Sequence, residues 1–143
     1  MIKKTASAHW SGGLKDGKGQ ISTESGALSN QPYGFNTRFE DKAGTNPEEL
    51  IGAAHAGCFS MALSMILHDF DAVADDIDTT ATVGLEEKDG GFAITTIHLD
   101  LTAKIPGISE DDLQKAANMA KENCPLSKVL AAAEITMDAK LAS

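Results

Sequence analysis

Apolar positions recur in two rhythms along the chain, and the switch between them predicts the elements. The first third alternates with period two in short runs: roughly Thr5 to Trp10, Gly19 to Thr23 and Phe35 to Glu40 read as strands. Gly12-Gly13 and Ser29-Asn30-Gln31-Pro32 supply turns between them. In the third run Phe35, Thr37 and Phe39 share one strand face and Asn36 and Arg38 the other. A helical rhythm then takes over. Asn46 is an N-cap residue, Pro47 suits the first helical position, and Glu49 stands where a capping box takes an acid. Leu50, Ile51, Ala54, Cys58, Met61, Ala62 and Met65 form a stripe at helical spacing, and the helix is expected to end near His68.

Period two returns over Thr79 to Glu86 and Phe92 to Ile105, joined through Lys88-Asp89-Gly90-Gly91, an Asp-Gly hairpin signal. Ile97, Leu99, Leu101, Ala103 and Ile105 alternate with polar residues, as in a sheet with one wet face. Ser109-Glu110-Asp111-Asp112 opens a second helix, Cys124-Pro125 breaks it and starts a third, and Glu134 to Leu141 reads as a last strand. The order βββ-α-ββ-αα-β makes an α+β fold with antiparallel sheets packed on a long central helix. No repeat or linker interrupts it, so residues 1–143 are expected to form a single domain.

Composition changes this picture in three places. A net charge of −9 argues against nucleic acid or an anionic membrane as a partner held by bulk electrostatics. Leu50 to Leu67 has transmembrane length and no formal charge, but lacks an aromatic belt or basic flank; a buried central helix is the expectation, without membrane insertion. The start, Met1-Ile2-Lys3-Lys4, has no apolar h-region behind it, so the cytoplasm is the expected compartment. There two cysteines are inert, metal-bound or redox-active rather than a disulfide scaffold.

The cysteines are the candidate chemistry. Cys58 lies deep in the apolar helix, where the macrodipole gives little and burial raises a thiol pKa, so its reactivity requires a cation from elsewhere. Arg38, the only arginine, offers a planar fork suited to bracing a carboxylate while holding an anion, and Glu49 is the partner to expect. Cys124, before Pro125, sits at an N-cap-like position, so local physics ranks it the more acidic thiol. His55 shares the helical face of Cys58, either as a hydrogen-bonded core histidine or as part of a nucleophile pair. A zinc site would have to draw on His55, Cys58, Cys124 and the distant His98.

Three runs carry a longer resemblance: Gln31 to Phe39 (QPYGFNTRF), Gly44 to Ser64 (GTNPEELIGAAHAGCFSMALS) and Cys124 to Leu130 (CPLSKVL). With them nearly the whole chain resembles the OsmC/Ohr family, without departure at a position that family uses for chemistry. The resemblance implies an intertwined homodimer that reduces organic hydroperoxides to alcohols in oxidative and osmotic stress defence. It implies that Cys58 is oxidised to a sulfenic acid, that Cys124 resolves it as a disulfide, and that Arg38 and Glu49 support the thiolate. An external dithiol would be the reductant, and no bound cofactor is expected. Phe35, Phe39, Ile51, Phe59, Met61 and Met65 are candidates for an apolar substrate pocket. Two rivals remain at this stage: a metal- or ligand-binding stress module using His55, Cys58 and Cys124, and a structural stress protein with inert thiols.

Overall fold

Asp89 and Gly90 both take positive φ, 52° and 82°, which is what a two-residue hairpin between Lys88 and Gly91 demands. That turn joins β4 (Asp76–Lys88) to β5 (Gly91–Lys104) in a computed structural model that describes residues 1–142. The chain divides into two compact units, Met1 to Leu50 and Ile51 onward.

The first unit holds a three-stranded antiparallel sheet in the order β1 (Ala6–Ser11), β2 (Lys18–Thr23), β3 (Gln31–Tyr33). The third strand is short and ends before the segment expected to form it. Phe35–Phe39 is instead a one-turn helix, α1. Its seed is local: the Gly34 amide donates to Thr37 Oγ1 at 2.8 Å, and that hydroxyl donates back to the Gly34 carbonyl at 3.0 Å. Two phenylalanines four apart fit a strand face if counted by twos and a helix face if counted by turns. Here their rings meet with centroids 4.9 Å apart, the helical outcome.

The long helix α2 (Pro47–Ile66) starts at the expected cap, with Glu49 N–H donating to Asn46 Oδ1 at 2.8 Å, and continues as a 3₁₀ turn over Leu67–Phe70. By length and composition alone, Pro47–Phe70 is apolar enough to cross a membrane. Its buried residues are Gly52, His55, Phe59, Leu63 and Ile66, a stripe rotated from the expected one. Met61 and Met65 lie on the outside, 75% and 69% exposed in the single chain. A helix apolar nearly all round offers the periodicity no unique face to choose.

In the second unit β4, β5 and β6 (Glu134–Leu141) form the other sheet. β4 pairs antiparallel with β5, but β6 pairs parallel to it, so this sheet is mixed rather than wholly antiparallel. The connection from β5 to β6 passes through α3 (Glu110–Asn123) and α4 (Pro125–Val129), long enough to return the chain in the same direction. Ser109 caps α3 by accepting from the Asp112 amide. The core joins Phe59, Leu63 and Leu67 to the inward residues Ile97, Leu99 and Leu101 and to Leu113, Ala116 and Ala120. Each large side chain buried this way contributes about 1.5–3 kcal/mol. Ser60 Oγ meets Thr79 Oγ1 at 2.7 Å, tying α2 to β4.

Candidate active site

Cys58 and Cys124 stand far apart in sequence, yet their side chains meet within the second unit. Cys58 is half-buried on α2, and Cys124 is buried at the junction of α3 and α4. Burial pushes the Cys58 thiol up; a hydrogen bond with the Leu126 backbone pulls it down, and the neighbouring Cys124 raises it further. Among the described residues of this unit the net effect on Cys58 is upward, which is the deficit that a cation from elsewhere was expected to fill.

Cys124 caps α4 as its place before Pro125 suggested. The Ser127 amide donates to Cys124 Sγ at 3.3 Å, and the Ser127 hydroxyl lies 3.3 Å from the same sulfur. Ser127 Oγ is in turn 2.8 Å from His55 Nε2. His55 is fully buried, its pKa is lowered by desolvation, and its Nδ1 has no hydrogen-bond partner among the described residues. It is thus a core histidine tied to the resolving candidate's cap. Ser127 was not foreseen; its signal was the spacing Cys124-x-x-Ser127, in which the third residue of a helix returns to its cap.

Arg38 and its carboxylate lie in the first unit. The guanidinium donates through Nη2 to Glu48 Oε1 at 2.7 Å and through Nε to the same oxygen at 3.0 Å. The carboxylate that Arg38 meets is therefore Glu48 and not Glu49. One residue along a helix turns a side chain by about 100°, and the position that satisfies the capping rule is exposed, while Glu48 is only 12% exposed. A second correction concerns direction. Because Phe35–Phe39 is helical, Arg38 does not point away from the phenylalanines: its guanidinium carbon is 5.3 Å from the Phe39 ring centre. Arg38, Phe35, Phe39, Trp10, Tyr33 and Pro47 are among the residues lining an open, mostly apolar cleft of about 210 Å³. Phe59, by contrast, is sealed in the core, and Met61 and Met65 face outward.

The zinc alternative fares differently. Among the described residues, the ligand-type side chains that converge are His98, Asp100 and Asp138 on the wet face of β5 and β6; His55, Cys58 and Cys124 form no such group.

Fold and site together define a class: an α+β protein carrying a paired-thiol site. The chain belongs to the OsmC-like protein family, matching its pattern over residues 39–140. It is 56% identical over 142 residues to Peroxiredoxin OsmC of Escherichia coli K12, covering 99% of each chain. It is 32% identical over 111 residues to organic hydroperoxide resistance protein OhrB of Bacillus subtilis, covering 77% of this chain and 79% of that one. The crystal structure of Bacillus subtilis OhrB superposes with a TM-score of 0.72 at 28% identity, covering 96% of this chain and 98% of that one. An OsmC structure from Legionella pneumophila, 24% identical with a TM-score of 0.71, shares the fold over 100% of this chain and 98% of its own.

Proposed function

We propose that this chain is a peroxiredoxin-like peroxidase that reduces organic hydroperoxides to alcohols in hydroperoxide defence. The observation that carries the reading is the meeting of Cys58 and Cys124 side chains inside one unit of one chain. The names of the Escherichia coli and Bacillus subtilis relatives support it, the first as a peroxiredoxin and the second as an organic hydroperoxide resistance protein.

By its chemistry Arg38, its fork held by Glu48, is this reading's cation for the Cys58 thiolate and the O–O bond, from the same chain or from a second copy, and the apolar cleft that Arg38 lines within the first unit is its candidate for the alkyl group. The Cys58 thiolate attacks the terminal peroxide oxygen, the O–O bond breaks, and the departing alkoxide takes a proton to leave as the alcohol. Cys58 is now a sulfenic acid. Cys124 condenses with it, releasing water and forming the disulfide, and an external dithiol returns both thiols by exchange. Glu49 keeps its place at the start of α2 without a part in this sequence.

The outward stripe of α2, with Gly57, Met61 and Met65, is covered by a second copy in this reading, giving a homodimer. The test of the function is turnover: with an external dithiol and cumene hydroperoxide, Cys58→Ser is inactive, and Cys124→Ser undergoes a single oxidation. Sustained turnover by Cys58→Ser overturns the assignment.

A further inference from the structure

Disulfide closure requires Cys124 to lose its proton from a place where water has almost no access, since Cys124 is 1% exposed. The structure supplies a path. Ser127 Oγ lies 3.3 Å from Cys124 Sγ and 2.8 Å from His55 Nε2, and all three side chains are buried. The peroxide-reducing step as proposed does not use His55, yet a fully buried imidazole whose Nδ1 has no partner among the described residues is expensive to keep. A purely structural hydrogen bond to Ser127 would be met as well by an amide.

We propose that Ser127 and His55 form a proton relay that activates Cys124 for disulfide closure, Ser127 touching the reacting sulfur and His55 acting through it. This rests on the peroxidase reading above. In the resting state the imidazole is neutral and Nε2 accepts from the Ser127 hydroxyl, whose oxygen accepts from the Cys124 S–H. In the step, the Cys124 proton passes to Ser127 Oγ as the Ser127 proton passes to His55 Nε2. The freed sulfur pair forms the bond to the Cys58 sulfur; the Cys58 S–O bond breaks, and its pair leaves on hydroxide. The imidazolium then gives up the transferred proton, and hydroxide becomes water. Cys58 is reduced by one electron equivalent and Cys124 oxidised by one, so no further oxidant is needed. Desolvation keeps the imidazolium short-lived, so the ring resets to its neutral form.

The test separates the two chemical steps in the intact chain. One equivalent of cumene hydroperoxide is mixed with wild type, Ser127→Ala and His55→Gln. Sulfenic acid formation and disulfide closure are then timed by acid quench, alkylation and mass spectrometry, in H₂O and D₂O. Ser127→Ala keeps the backbone amide on Cys124; His55→Gln keeps a hydrogen-bonding group but cannot take up a proton. Both are expected to slow closure, relative to Cys58 oxidation, by on the order of 10²-fold, and to change the solvent isotope effect on closure. An unchanged ratio and isotope effect in either folded variant, even with a lower Tm, would mean that the pair is only structural and would overturn the relay alone. Failure of the wild type to form any Cys58 sulfenic acid would overturn the peroxidase reading and the relay with it.

Discussion

Replacing Glu48 with Gln leaves Arg38 an acceptor but removes the charge that holds its fork. Two donors now converge on one Glu48 oxygen at 2.7 and 3.0 Å. Charge-assisted hydrogen bonds of this kind contribute about 1.5–3 kcal/mol. The Arg38 side chain is 36% exposed and Glu48 only 12%, so solvent screening pulls the figure to the lower end. If that loss is fully expressed in the transition state, it slows Cys58 oxidation about tenfold. Arg38→Lys keeps the charge and loses the planar fork, and should fall by a similar factor; Arg38→Met should fall further. Glu49→Gln should stay near the wild-type rate. The assay is the second-order rate with cumene hydroperoxide at neutral pH, with thermal melts to show that each variant is folded. A wild-type rate for Glu48→Gln together with a tenfold loss for Glu49→Gln would overturn the role of Glu48 and return the brace to Glu49.

The remaining predictions concern titration and assembly. His55 is held below its ordinary value of 6.5 by burial, so the unfolded chain binds the extra proton first as pH falls. Unfolding free energy from denaturant melts should therefore be steady above pH 6.5 and decline below it, by up to about 1.4 kcal/mol per pH unit from this group. His55→Gln should remove that part of the slope. Cys58 is shifted the other way: the folded thiol keeps its proton to higher pH than the unfolded one, so its contribution to stability is present below the ordinary thiol range and fades as pH rises through it. Cys124→Ala removes one cause of that rise and should move the pH profile of Cys58 alkylation downward; an unmoved profile would deny the contact between the two side chains. Placing charges on the outer stripe, as in Met61→Glu with Met65→Lys, should give a monomer in sedimentation velocity where the wild type sediments as a dimer.

How much of this was legible in the sequence depends on how many neighbours each signal needed. Ile97 through Ile105 alternated in sequence and alternate in burial, because one strand with one dry face is its own evidence. The Asp89-Gly90 turn and the Asn46 and Ser109 caps are equally local, and each formed where expected. The failures came where two periods fit the same few residues. Phe35, Thr37 and Phe39 alternate, but a Thr37 hydroxyl bonded to Gly34 turns the segment into helix and swings Arg38 beside Phe39. On α2 an almost uniformly apolar surface gave no way to tell the Leu63 face from the Met61 face. Glu48 and Glu49 are chemically identical neighbours, and only the three-dimensional path of α1 chooses between them. The parallel pairing of β6 is a property of the crossover and has no signature in the strand itself.

The central claim is that Cys58 and Cys124 are partners in one reaction, and peptide mapping of the oxidised protein tests it most directly. Reduced wild type is treated with one equivalent of cumene hydroperoxide, alkylated, digested without reductant and analysed by mass spectrometry. The expected result is the loss of both thiols, a peptide pair joined through Cys58 and Cys124 within one chain, and one molecule of alcohol formed per chain. Two free thiols alongside intact hydroperoxide would contradict it.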